Sequence, residues 1–284
     1  MPDDASTSTT PEPGWYPDPY GRFRHRWWDG SEWSAQAADS VVHWDPVSTE
    51  PTTSDHGPPG LVTALIGFGV GFAGAVALGA ALEDAGDPGG QAVTILASSA
   101  ALWIGLLGAV IVASRRRGRG SVVQDFQLRF AWRDIGIGFG GALAARLIAI
   151  FAAAPIPIPT ERIGEFEEQV FEGTLDNGWT LAAILFVTCI GAPLFEELFF
   201  RGLLQGHLIG RFGVAWGIGI TSVLFGLAHY GAYAGPLVWM QMWAIAVGGV
   251  ALGLMRHYSG RLGLPIVAHF FFNAQAMAVL IWLS

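Results

Sequence analysis

Lysine is absent from this 284-residue chain, so all 15 cationic side chains are arginine, and cysteine occurs once. The missing lysine reflects genomic base composition rather than chemistry. The single Cys189 lies in an apolar run, which excludes disulfides and cysteine metal clusters. Charge is scarce as well: 13% of residues are charged and 52% hydrophobic, with mean hydropathy +0.44. Soluble chains carry roughly a quarter of their residues as charges. A soluble globular domain is therefore excluded and the chain belongs to the membrane class. The opening MPDDASTSTT is polar and acidic with no apolar core, so no cleavable signal peptide is expected.

The net charge of −8 is unevenly divided. Residues 1–59 hold 10 acids and 3 Arg (−7), and residues 60–284 hold 13 acids and 12 Arg (−1). The acidity thus belongs to an N-terminal arm, and no nucleic-acid partner is expected. Within the arm, residues 1–12 read as disordered, 13–36 as a small Trp-rich cytoplasmic module, and 37–59 as a flexible linker rich in Pro, Ser, Thr and Asp. The module gathers Trp15, Tyr16, Trp27, Trp28 and Trp33. Residues Arg22 to Trp27 alternate polar and apolar as a strand does, and Asp29-Gly30 is a hairpin-turn signal. A very small β-hairpin of two or three strands is expected. It resembles a short domain of unknown function found at the N-termini of bacterial, mostly actinobacterial, membrane proteins. Its tryptophans either form its own core or offer an aromatic face to a peptide or the membrane surface.

From residue 60 onward apolar runs occupy 60–82, 91–113, 134–154, 179–200, 212–229, 236–256 and 264–283. At about 1.5 Å per helical residue, each covers roughly 27–35 Å, enough to cross a hydrocarbon core. The expected fold class is an all-α polytopic membrane protein of about seven transmembrane helices behind the small β module. Residues 83–90 carry Glu83, Asp84 and Asp87, whereas 114–133 carry Arg115, Arg116, Arg117, Arg119, Arg129 and Arg133. Residues 155–178 are acidic again, Arg201 and Arg211 follow the fourth run, and Arg256 and Arg261 follow the sixth. Positive charge on alternate connections places the N-terminus in the cytoplasm and the C-terminus outside the cell membrane. Between Glu161 and Asp176, Ile163, Phe166, Val170 and Phe171 recur at helical spacing, predicting an amphipathic surface helix. Glycines such as Gly67, Gly69, Gly71 and Gly74 sit within the runs, where small residues let helices approach closely.

Polar side chains interrupt the later runs. The fourth ends Pro193-Leu194-Phe195-Glu196-Glu197-Leu198-Phe199-Phe200-Arg201-Gly202, the fifth ends at His229, and the last contains His269 and Asn273. An ionised residue near the bilayer centre costs about 3 kcal/mol on insertion scales, so such residues persist when paired or when they work. Glu197 and Arg201 are four apart and can pair on one helix face. Glu196 is rotated about 100° from Glu197 and is free for another partner. His269 and Asn273 are also four apart. A carboxylate, two imidazoles and an amide on three helices make a hydrolytic site plausible by chemistry, with base and oxyanion donors available. Counting from the cytoplasmic ends, His269 lies about 10 Å deep and His229 about 25 Å. A shared pocket therefore requires tilt, a broken helix or a later start to the fifth span.

The three motifs, in this order and each in an apolar run, resemble those of the CPBP family of intramembrane proteases, which includes CAAX-processing endopeptidases and bacterial Abi-type proteins. The resemblance covers roughly 179–284 and includes Arg201-Gly202, Phe225 four before His229, and Pro265 ahead of His269. It implies that Glu196 and His229 activate water, that His269 and Asn273 form the oxyanion hole, and that Glu197 and Arg201 support the site. The substrate would be a protein or peptide in contact with membrane lipid. No cofactor is expected; the alternative is Zn2+ on Glu196, His229 and His269, although no His-Glu-x-x-His is present. The rivals are a non-catalytic scaffold or bacteriocin-immunity-type protein, and a proton-coupled transporter. A protein partner for the Trp-rich module fits the protease and the scaffold alike.

Overall fold

The computed structural model describes residues 11–19, 23–38, 42–44, 59–82, 88–153, 177–230 and 238–283. The chain forms two compact units, Met1–Asp55 and His56–Ser284.

In the first unit, β1 (Gly14–Pro17), β2 (His25–Trp28), β3 (Trp33–Ala38) and β4 (Val42–Trp44) form one antiparallel sheet in sequence order. The β2–β3 turn is the expected Asp29-Gly30 pair, with Gly30 at φ +102°, a left-handed conformation that favours glycine. Asp29 Oδ1 accepts the backbone N–H groups of Glu32 and Ser31 at 2.7 Å and the Ser31 hydroxyl at 2.8 Å. These donors, the Glu32 amide first, hold the Asp29 carboxyl below the usual carboxylate range. The register sets Trp15 opposite Trp27 and Trp28 opposite Trp33, and both pairs meet edge-to-face.

Trp15, Trp27, Trp28 and Trp33 are not among the fully buried residues of this unit. Arg26 and Ala37 are each 0% exposed, and Arg26 Nε meets Asp18 Oδ1 at 2.8 Å inside the sheet. Arg26 Nη1 also donates to the Ser34 carbonyl at 3.0 Å. The sheet has four strands rather than two or three. It reaches Trp44, inside the stretch read as linker, because three residues of strand amid Ser and Asp leave too short a pattern to read. The expected disordered start, residues 1–10 of it, lies outside the described residues.

In the second unit each apolar run forms helix over its described residues, the 212–229 run being interrupted at Gly213 and leaving the helix after Leu227. Among the described residues the helices are α1 (Pro59–Leu82), α2 (Pro88–Arg117), short α3 (Val122–Asp125), α4 (Arg133–Ala153), α5 (the helical run Gly178–Phe212), α6 (Val214–Leu227), α7 (Val238–Ser259) and α8 (Gly263–Leu283). Five of them, α1, α2, α4, α5 and α7, are long and apolar enough to cross a membrane; α6 and the apolar part of α8 are shorter. This is a multi-pass membrane protein. Its long helices turn bulky apolar side chains outward, such as Val70 at 66% and Ile104 at 73% exposed, which is unfavourable in water and suits lipid. The amphipathic helix expected over 161–176 lies outside the described residues.

Close approach between α1 and α2 depends on glycine. A Cβ on Gly105 would collide with the backbone of Gly67 and Gly71, and one on Gly71 would lie 2.6 Å from the Leu102 carbonyl oxygen. Gly69, on the opposite face of α1, has open space around it. Gly105→Val is therefore expected to destabilise the unit by about 1–3 kcal/mol, the usual cost of overpacking. Gly69→Ala should leave thermal unfolding in detergent unchanged, and equal unfolding temperatures for both variants would refute this packing account.

At the end of the unit that carries most of the arginines, α4 is tied to the α7–α8 turn. Asp134, fully buried, takes an ion pair from Arg261 and accepts the Ala131 amide at 2.8 Å. Backbone bonds from Leu262 to Gln127 and from Gly263 to Arg129, at 3.0 and 3.1 Å, seal the same corner.

Candidate active site

The site is organised around α5, which departs from α-helical geometry twice. Residues Val187–Gly191 and Glu197–Leu204 wind as π-helix, a rare state that concentrates at functional positions. The first departure has a sequence cause. Ala192 N–H bonds five residues back to the Val187 carbonyl. In that register the Thr188 carbonyl would need the N–H of Pro193, which has none. Thr188 O is thus left open, and the Asn273 amide of α8 donates to it at 2.8 Å. One of the two Nδ2 hydrogens is used, and the other remains for a ligand. Gly191 makes room for the Trp103 ring of α2, which stacks on Phe195 at 4.8 Å and braces this face of α5.

The second departure carries Glu197 and Arg201. The ion pair expected from their spacing is present at 2.9 Å, with both side chains fully buried. Glu197 Oε1 is shared: His269 Nδ1 lies 2.9 Å from the same oxygen. A carboxylate only accepts, so Nδ1 carries the proton and the Nε2 of His269 faces away from the pair. Arg201 Nη2 donates to the Gly249 carbonyl of α7 at 3.3 Å. A Cβ on Gly249 would come within 3.3 Å of Arg201 and Phe225, so α7 packs closely on the guanidinium here and a side chain would fit only with a small shift. Four residues on, Gln205 repeats the contact by donating to the Gly253 carbonyl at 3.0 Å. Glu197, Arg201 and Gln205 thus form a polar ladder along α5, docked on two glycines of α7.

Glu196, one position from Glu197, is 9% exposed and lies within electrostatic reach of His269, Glu197 and Arg201. Its Oε2 is buried and accepts no hydrogen bond from the described residues. A buried carboxylate oxygen without a partner is costly, and Glu197 Oε2 is a second one beside it.

His229 and His269 meet through Phe225. The Phe225 ring lies 5.0 Å from the His229 ring and 5.7 Å from that of His269, both edge-on, while the Arg201 guanidinium sits 4.1 Å above it. His229 Nδ1 donates to the Phe225 carbonyl at 2.8 Å, which leaves Nε2 as a lone pair. The depth mismatch expected between the two histidines is bridged by this ring, at the end of an α6 only 14 residues long. Glu196 and His229 do not bond one another, and Asn273 and His269 hold separate anchors, Thr188 and Glu197.

Sequence reasoning did not single out three contributors: Thr188, Gly249 and Arg146. Arg146, in the middle of α4, donates to the Phe272 carbonyl and lies 4.0 Å over the Phe272 ring, beside Asn273. A lone Arg in the 134–154 run was the available signal. Thr188 and Gly249 act through backbone carbonyls, which leave no trace in side-chain chemistry.

As to metal, no three His, Cys, Asp or Glu side chains among the described residues converge to hold an ion. Glu196, His229 and His269 do not form a zinc set in this arrangement.

The interior of the membrane unit thus carries a paired carboxylate, a second carboxylate and two histidines with oriented rings. Residues 178–275 match the family described as type II CAAX prenyl endopeptidase Rce1-like, and residues 13–46 match a protein family of unknown function, DUF2510. The resemblance drawn from the three motifs and from the aromatic module holds over these segments. The chain is also 33% identical over 91 residues to the uncharacterized protein YpbD of Bacillus subtilis (strain 168). That alignment covers 32% of this chain and 42% of YpbD, so the chain spans less than half of that relative's length. No solved structure matches the chain.

Proposed function

We propose that the membrane unit is an intramembrane endopeptidase that hydrolyses a peptide bond with a glutamate-activated water. The observation that carries the reading is Glu196: a buried carboxylate with no hydrogen bond from the described residues, beside a Glu197 whose Oε1 is bonded to Arg201 and His269, inside the segment similar to CAAX-type proteases. Glu196 takes a proton from water, with the His229 Nε2 lone pair orienting it, and the hydroxide forms a C–O bond to the scissile carbonyl. The second Asn273 N–H and the His269 Nε2–H donate to the oxyanion. Donation from Nε2 requires the doubly protonated ring, whose Nδ1–H Glu197 Oε1 accepts. Collapse breaks the C–N bond, and the proton held by Glu196 passes to the leaving amine.

In this reading Glu197 and Arg201 are positioning residues, the pocket opens towards the cytoplasm, the N-terminus is cytoplasmic and the C-terminus extracytoplasmic. The Trp-rich module recruits a protein partner through the cavity of about 340 Å³ between Tyr16, Pro17, Trp28 and Trp33.

The test is cleavage of a fluorogenic peptide library by the pure chain in nanodiscs. Activity should survive a zinc chelator, and Asn273→Ala should lower kcat about 10²–10³-fold, as losing one oxyanion donor does. Stoichiometric zinc lost together with activity would sink the metal-free mechanism. Absence of any cleavage, with Glu196→Gln still complementing a deletion strain, would favour the non-catalytic scaffold.

A further inference from the structure

The aromatic residues of the β unit fall into two groups, because successive strand residues point to opposite faces of a sheet. Trp15 meets Trp27 in one group, and Tyr16, Trp28 and Trp33 gather in the other. In the second group the Trp28 and Trp33 rings lie 5.2 Å apart and the Tyr16 and Trp33 rings 6.3 Å apart, both edge-to-face. These three residues, with Pro11 and Pro17, wall a cavity of about 340 Å³. Each of the three is half-buried, so part of each side chain stays open to an occupant. Among the described residues no charged side chain lines the cavity.

This face already takes a proline-containing piece of its own chain. Trp28 Nε1 donates to the Pro11 carbonyl at 3.1 Å, and the Tyr16 hydroxyl donates to the next carbonyl, that of Glu12, at 2.9 Å. Pro11-Glu12-Pro13 precedes β1, so the aromatic donors serve carbonyls that no strand uses. Pro11 forms one wall of the cavity and leaves the rest of its space unfilled. One water needs only ~10–15 Å³ measured this way, so the remaining space admits whole side chains.

We propose that this face is a docking site for a proline-rich segment of a partner protein, its rings seated in the cavity against Tyr16, Trp28 and Trp33 beside Pro11. The proposal rests on the reading that the module recruits a protein and names the chemistry of what is recruited. Proline fits for three reasons. Its ring is apolar and meets aromatic walls that carry no charge. Its fixed φ holds the chain extended before binding, so little conformational freedom is lost on docking. An extended proline-rich backbone makes no internal hydrogen bonds, and its carbonyls stay open to indole and phenol donors of the kind that hold Pro11 and Glu12. A lipid tail would use the rings and leave such donors without a role.

The test is fluorescence anisotropy with the full chain in nanodiscs and two labelled probes, decaproline and a Gly-Ser peptide of equal length. Saturable binding of decaproline alone is expected. Trp33→Leu removes a wall ring and should weaken binding roughly tenfold, as truncating a central tryptophan does. Pro17→Glu sets a charge at the apolar cavity and should weaken it severalfold. Pro17 is exposed, so this variant decides the matter even where Trp33→Leu disturbs the sheet. Trp15→Phe, in the pair outside the cavity, should bind as wild type. Equal binding of both probes, no saturable binding of decaproline, or wild-type affinity in both Trp33→Leu and Pro17→Glu overturns the proposal. Binding present in detergent and absent in nanodiscs overturns it too, since the lipid surface then covers the face. A benzophenone side chain at Pro17 separates this failure from that of recruitment itself. A protein crosslinked there in cells while decaproline fails keeps the recruitment and overturns its proline chemistry; no crosslink and no binding remove both. Neither readout depends on peptide cleavage.

Discussion

Glu196→Gln is expected to lower kcat for peptide cleavage about 10²–10⁴-fold, the range over which a positioned general base contributes. The amide has the size of the carboxylate and cannot take a proton from water. The fold should not suffer, because Glu196 makes no hydrogen bond through its buried Oε2 that Gln would lose. Thermal unfolding in nanodiscs should stay within about 0.5 kcal/mol of wild type, or rise, since an uncompensated buried carboxylate is removed. Loss of activity with stability kept assigns Glu196 to chemistry. A large loss of stability, or activity near wild type, would show instead that the carboxylate is a packing group and that the water is activated elsewhere.

Glu197→Gln is expected to behave in the opposite way. Glu197 Oε1 receives Arg201 and His269 at 2.9 Å each, and both Glu197 and Arg201 are fully buried. Removing the carboxylate leaves a buried guanidinium without its counter-charge, which costs on the order of 3–5 kcal/mol. His269 loses the acceptor that fixes its ring, so activity falls as well. The two effects separate in the double variant Glu197→Gln/Arg201→Met. With the orphaned charge gone, most of the lost stability should return, while activity should not, because His269 stays unanchored. Thermal unfolding and kcat on the same preparations read both outcomes. Recovery of activity in the double variant would falsify the positioning role of Glu197.

The contrast between adjacent glutamates shows what was legible from residues alone. Spacing places Glu197 and Arg201 on one helix face and turns Glu196 away, and the structure has that pair and that unpartnered neighbour. Periodicity cannot say that His269 shares Glu197 Oε1, because the two are 72 residues apart and meet only when α8 packs against α5. Pro193 was visible in the fourth run, but its consequence was not. A π turn and a missing N–H together free the Thr188 carbonyl for Asn273. The depth conflict between His229 and His269 arose from treating helices as parallel rods; an aromatic ring between them spans the gap. In the aromatic module, the tryptophans drew attention while the buried centre is Arg26 on Asp18, since a charge can go inside a small sheet when its partner goes with it.

What the amino-acid sequence determines by itself is the solvent and the element type. Scarce charge and long apolar runs commit residues 60–284 to helices in a membrane, because a backbone in hydrocarbon must satisfy its own hydrogen bonds. Which polar groups those helices would carry inward is equally legible, since such groups are too costly to keep facing lipid. Tertiary structure alone decides which of them touch. That choice rests on glycines at 249 and 253 that admit Arg201 and Gln205 to carbonyls of α7, and on a helix register shifted by one proline. Contacts of this kind depend on distances of a few tenths of an ångström between segments far apart in the chain, and no local pattern of residue types encodes them.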